Sequence, residues 1–147
     1  MTIIAWRDGV VAADGLATSD DVITSRKAQK IRRMSDGGVA AMMGAAVGAQ
    51  EILRWIEGGE LGEQPKFEGE KSATVVVIGL DGLTVYDEYG KETISEAPYR
   101  AFGAGRDLAL GAMASGASAE EAVRAACEHS VYCGGEITVL KLNDTAA

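Results

Sequence analysis

MTIIAWRDGVVAADG, residues 1–15, already reads as sheet at its second residue. Chain termini are loose unless something ties them down, yet Thr2 to Trp6 is a largely apolar run of strand formers. A second run, Val10 to Ala13, follows across Arg7-Asp8-Gly9. Asp-Gly between two apolar runs predicts a tight hairpin, because both turn positions need positive φ. Asp14-Gly15 then ends the second strand. A strand this early is either a plain sheet edge or a terminus whose position matters for chemistry.

The pattern extends outward from that hairpin. Leu16 to Ser25 is polar, with room for a short strand at Val22 to Thr24. Lys27 to Met34 alternates imperfectly and predicts a strand that ends at the Ser35-Asp36-Gly37-Gly38 turn. Val39 to Met43 is wholly apolar, as expected of a strand covered on both faces, and Gly44 closes it. From Ala46 to Glu57 the period changes: Val47, Ile52, Trp55 and Ile56 share a helical face, and Gly58-Gly59 stops the helix. Glu60 to Lys71 reads as a loop.

SATVVVIGLDGLTVYDEYG, residues 72–90, predicts two strands around Asp81-Gly82. Tyr99 to Phe102 is a short strand running into Gly103-Ala104-Gly105. Helices are expected at Arg106 to Ala114 and Ala119 to Ser130, the second opened by a Ser118/Glu121 capping box. Ile137 to Leu142 is a last strand, and residues 143–147 are expected to fray. The order ββ(β)ββ-α-ββ(β)-αα-β lacks βαβ alternation. It predicts an α+β fold of antiparallel sheets packed face to face with helices stacked outside. No repeat or linker divides residues 1–147, so one domain is expected.

Composition narrows the function classes. The 147 residues are 47% hydrophobic but 5% aromatic, which suits a folded core of small side chains. A net charge of −8 argues against nucleic acid; the one basic cluster, SRKAQKIRRM at 25–34, is a local patch. No apolar run approaches the roughly 20 residues that span a bilayer, and no signal-peptide pattern opens the chain. A cytoplasmic protein with reduced thiols is therefore expected, since the Cys127/Cys133 spacing matches no zinc or redox motif. No metal or other cofactor is expected. The lone His129 falls near a helix end, and no serine sits in a Gly-x-Ser-x-Gly elbow, so a serine hydrolase is disfavoured. GAGRDL at 103–108 lacks the third glycine of a dinucleotide loop and reads as a tight turn.

Thr2 is different. A threonine hydroxyl is a weak nucleophile unless a base adjoins it, and a free α-amine on the same residue can be that base. Methionine excision favours small second residues, and an α-amine with a reference pKa of about 8 is substantially neutral at physiological pH. Such a site also needs a buried cation beside the hydroxyl and a carboxylate to hold that cation. Asp14 and Lys30, both near strand ends, are the candidates; a turn aspartate and a solvated lysine would be the plain alternative.

With those residues in view, the chain resembles the proteasome β-type subunits, and among them the bacterial HslV peptidases. TIIAWRDGVVAADGLAT (2–18) resembles the family's opening hairpin, with Asp14 on its acidic position and Ala17-Thr18 on its substrate-binding Ala-Thr. RKAQKIRRM (26–34) resembles the Lys-Lys-Val-Arg-Arg strand and puts Lys30 on the catalytic lysine. GVAAMMGAAVGAQEILRWIE (38–57) is similar to the strand, glycine turn and helix that line the substrate pocket. By that match Met43 lies near the pocket, the backbone amide near Ala45 faces the oxyanion, and Gly44 belongs to the same oxyanion and substrate-binding group. YRAFGAGRDLALGA (99–112) and SVYCGGEITVLKL (130–142) resemble the later Gly-Ser-Gly turn and the closing strand.

The resemblance implies the four-layer αββα sandwich of N-terminal nucleophile hydrolases. It implies a threonine peptidase acting on unfolded polypeptides within stacked hexameric or heptameric homo-oligomeric rings, fed by an ATP-dependent unfoldase. Its supporting positions are altered here: Ala104 replaces the serine of the Gly-Ser-Gly turn, and Ser130 and Cys133 stand for Asp and Ser. The opening hairpin is short, so either Thr2 or Met1 falls on the nucleophile position. A catalytically silent scaffold that kept the fold and the ring is the competing expectation.

Overall fold

The Asp8-Gly9 pair does turn the chain back on itself, with φ of 51° and 75° at its two residues, the paired positive values of a two-residue hairpin. The computed structural model describes residues 1–80, 82–94 and 97–142; Asp81 of the second Asp-Gly pair and the predicted frayed tail lie outside them. In chain order the first strands are β1 (Ile3–Arg7), β2 (Val10–Ala13), β3 (Ala17–Ser19), β4 (Val22–Ser25), β5 (Ile31–Arg33) and β6 (Val39–Gly44). Helix α1 (Ala46–Glu57) follows, then a short 3-10 turn at Gly69–Lys71. Strands β7 (Ala73–Gly79), β8 (Gly82–Asp87), β9 (Gly90–Ile94) and β10 (Tyr99–Gly103) lead to α2 (Arg106–Ala114), α3 (Ala119–His129) and β11 (Thr138–Lys141).

Two antiparallel sheets result, ordered β10-β1-β2-β11 and β5-β6-β7-β8-β9, with β3 and β4 forming a separate hairpin. The alternation of β1 shows how they stack. Ile3 and Ala5 turn to one face, where Met113 of α2 and Val123 and Ala126 of α3 cover them. Ile4 turns to the other face and meets Ile31, Val39, Ala41 and Val76 of the second sheet. That sheet's outer face carries Ala40, Val75 and Tyr86, which pack under Ile52 and Leu53 of α1. The layers therefore run α1, sheet, sheet, α2/α3, the expected αββα sandwich. Strands covered on both faces have no reason to alternate polar and apolar residues, which accounts for the unbroken runs at Ile3–Ala5 and Val39–Ala41. No helix among the described residues is long and apolar enough to cross a membrane.

Three segments depart from expectation. β3 pairs with β4 through a turn at Asp20 and Asp21, φ 49° and 63°; two aspartates carry the left-handed conformation without the glycine that marks such turns. β9 is an edge strand of sequence GKETI with three exposed residues, so it lacks the alternation that would announce it. The strand expected over Lys27–Met34 is confined to Ile31–Arg33. The chain ahead of it bonds elsewhere: Ala28 N donates to Gly15 O at 2.9 Å, and the preceding Arg26 O accepts from Glu136 N at 2.7 Å.

Both ends of β1 are anchored. At the far end, the Arg7 guanidinium donates to the carbonyls of Met113 and Ala117 and lies 5.0 Å from the centre of the Tyr99 ring. A cation there also complements the C-terminal dipole of α2. At the near end, Gly105 N donates to Thr2 O at 3.3 Å, and Gly103, at φ 101°, passes so close that a Cβ would stand 2.1 Å from Thr2 O. Gly103→Ala should therefore cost at least about 2 kcal/mol in a urea melt. Gly111→Ala, in the open face of α2 with no atom near the added methyl, should instead stabilise by about 0.5–1 kcal/mol. Equal effects would refute the close approach.

Candidate active site

Among the described residues, the buried polar or charged side chains are Thr2, Asp14 and Lys30, 9%, 0% and 8% exposed. They come from three places in the chain and meet at one end of the sandwich. Asp14 follows β2, and its Oδ1 accepts from Ile3 N at 3.1 Å and from Lys30 Nζ at 2.7 Å. Its Oδ2 accepts from Gly134 N at 3.0 Å, in the loop between α3 and β11. Lys30 enters from the residue before β5 and also donates to the Met1 carbonyl at 2.8 Å. Backbone bonds hold the frame: Met42 N donates to Lys30 O at 2.8 Å, and Gly15 N to Gly134 O at 3.0 Å.

Energetics make this arrangement informative. Replacing a buried ion pair by apolar side chains is often neutral or stabilising by about 1–4 kcal/mol, whereas removing one partner costs about 3–5 kcal/mol. The fold could dispense with the pair but could not tolerate half of it. Three donors on one carboxylate offset its desolvation, and the price leaves the lysine head group beside Thr2. Thr2 and Lys30 line a common cavity of about 160 Å³, closed by Ala17, Met43, Gly44 and Ala49.

Gly44 has a further property. N–H groups alternate in direction along a strand. Met42 N points to β5 and bonds Lys30 O, while Ala45 N points to β7 and donates to Ser72 O at 2.9 Å. Gly44 N thus turns back to the β5 side, beyond the end of that strand, where the cavity opens. The amide expected near Ala45 is engaged in the sheet, and the one directed at the cavity belongs to Gly44. Its φ of 81° and the 2.3 Å from a would-be Cβ to Ser72 O require glycine there.

The remaining expectations divide. Met43 borders the cavity. Ala17 does too, but Thr18 is exposed on β3 and is not part of the lining. Ala104 is exposed in the turn whose neighbour, Gly105, supplies the amide to Thr2 O. Ser130 ends α3 and accepts from Tyr132 N at 3.1 Å. Cys133 is buried against Ile3 and Gly105, behind the first strand. His129 is exposed beside Glu128, 4.0 Å away. Sequence reasoning passed over the Gly134 amide, for which no side chain gives a signal. It also passed over Ala46, Ala49 and Gln50, whose i, i+3, i+4 spacing puts them on one face of α1 and against the cavity.

No protein-family profile matches the chain. Solved structures do. HslV from Trypanosoma brucei superposes with a TM-score of 0.71 at 19% identity, over 95% of this chain and 98% of that one. BPH of Thiobacillus denitrificans in complex with epoxomicin gives 0.64 at 18% identity, over 96% and 98%. A further structure of the same BPH gives 0.63 at 19%, over 96% and 97%. At such identities the likeness is one of fold: the chain has the four-layer αββα fold of HslV.

Two measurements follow. Lys30→Met should destabilise by about 3–5 kcal/mol, and adding Asp14→Asn should restore part of that loss; additive costs in a double-mutant cycle would show that the pair is not coupled. The thiols should be inert at neutral pH. Burial, with the Asp14 charge adding to it, pushes the Cys127 thiol up to about 11, and burial raises Cys133 as well. Since the thiolate is the reactive form, iodoacetamide at pH 7.5 should modify the native protein at least about tenfold more slowly than free cysteine. The Cys127 rate should climb toward pH 11. Fast labelling at pH 7.5 would contradict this.

Proposed function

We propose that this chain is an N-terminal threonine peptidase whose nucleophile is Thr2 once Met1 has been removed. The observation that carries the reading is the burial of Thr2, Asp14 and Lys30 together, with Thr2 and Lys30 lining one cavity, an arrangement that apolar side chains often replace at no cost in stability. Thr2 rather than Met1 borders that cavity, and Met1 is 62% exposed, which favours the Thr2 register. Loss of Met1 removes one acceptor from Lys30 Nζ and leaves that donor to the hydroxyl and amine of Thr2.

In the first step the Thr2 hydroxyl oxygen attacks the scissile carbonyl carbon while the Thr2 amine takes its proton. The tetrahedral oxyanion forms beside the Gly44 amide, a preorganised donor of the kind whose loss costs roughly 2.7–4 kcal/mol of barrier. Lys30 stabilises developing negative charge, and Asp14 holds the lysine head group in place. The amine returns the proton to the leaving nitrogen, and water then hydrolyses the threonyl ester. The same reading extends to unfolded polypeptides as substrates, ring-shaped homo-oligomers of six or seven copies stacked in pairs, and delivery by an ATP-dependent unfoldase. Likeness to the HslV fold supports that extension.

Hydrolysis of an unfolded protein such as casein tests the reading. Thr2→Ala should lower the rate at least about 1,000-fold, while Thr2→Ser, which keeps hydroxyl and amine, should retain a measurable rate. Both replacements are small, so methionine excision is preserved. Undiminished turnover by Thr2→Ala would overturn the mechanism. Turnover by neither variant nor the parent would favour the silent scaffold.

A further inference from the structure

The peptide bond that must be cut to expose Thr2 is pinned on both sides. Downstream, Thr2 O accepts from Gly105 N at 3.3 Å, and Ile3 exchanges bonds with Asp14 at 3.1 Å to the carboxylate and 3.2 Å between backbones. The close passage of Gly103 leaves Thr2 O no room to swing away on that side. Upstream, Lys30 Nζ holds the Met1 carbonyl oxygen at 2.8 Å, and the same ammonium is tied to Asp14 at 2.7 Å. Thr2 itself is 9% exposed, whereas Met1 is 62% exposed. An aminopeptidase can reach the methionine side chain but not the bond it has to cut.

That contrast has a kinetic meaning. Peptidases need the scissile bond in an accessible, extended segment, and here β1 begins at Ile3, one residue beyond the bond. Freeing Met1 and Thr2 from the folded chain requires breaking the contacts of Lys30 and Gly105 together, while Asp14 keeps the next residue, Ile3, in place. We propose that Met1 is removable by an external methionine aminopeptidase only before β1 docks, so that a chain folded with Met1 in place is locked. In the cut, water adds its oxygen to the Met1 carbonyl carbon and the C–N bond breaks. The nitrogen takes a proton to become the Thr2 α-amine, and methionine leaves as the free amino acid. The lock regulates the site only on the peptidase reading of Thr2, but the accessibility of the bond does not depend on it.

The test uses the full chain produced with its methionine aminopeptidase inhibited, purified folded and then exposed to active aminopeptidase. Intact mass is followed over time, with a synthetic peptide of residues 1–8 as the unpinned control. The peptide should lose methionine about 100-fold faster than the folded chain. Refolding the denatured chain with aminopeptidase present should yield the trimmed form. A ratio below about tenfold would overturn the lock, and so would loss of methionine from the folded chain with no aminopeptidase added. Because the readout is mass, protected Met1 alongside undiminished turnover in Thr2→Ala would refute the peptidase reading and leave the lock standing.

Discussion

The carboxylate of Asp14, wholly buried, is the constraint on which the rest depends. It is tied to β1 through the Ile3 amide, to the start of β5 through Lys30, and to the loop before β11 through the Gly134 amide. Those three partners span more than a hundred positions of sequence, and none can shift without leaving a buried charge short of a donor. An uncompensated buried charge costs several kcal/mol, a large fraction of the 5–15 kcal/mol that holds an ordinary domain together. The sandwich therefore has to close with this end in register, and the register places Thr2 against Lys30.

The apolar layers explain why the site can be both rigid and small. Alanine dominates the α2/α3 layer, with Ala109, Ala119, Ala122 and Ala126 buried against the first sheet. Small side chains let helices and strands approach closely, which is how Gly105 and Cys133 come to lie directly behind Ile3. Burial keeps the Cys133 thiol protonated, so it behaves as a compact neutral neighbour.

Legibility in the sequence follows how local each signal is. The first hairpin is legible because Asp8-Gly9 states its own turn type, and α1 and α3 because their periodicity and caps are local. Asp14 and Lys30 are legible as chemistry once Thr2 is taken as a nucleophile that needs a cation and a counter-ion. The edge strand Gly90–Ile94 is not, since an exposed edge has no apolar alternation to betray it. Nor is the choice of Gly44 over Ala45: adjacent amides differ only in which strand they face, and that is set by pairing with Lys30 and Ser72. The Gly134 amide has no side chain, so its role exists only in three dimensions.

The account turns on which residue is first in the working protein. Intact mass of the protein after incubation with a threonine-directed electrophile, followed by mapping of its N-terminal peptide, tests this most directly. The predicted result is a chain lacking Met1 with the adduct on Thr2. A chain that keeps Met1 and still cleaves polypeptides, or an adduct placed anywhere else, would contradict it.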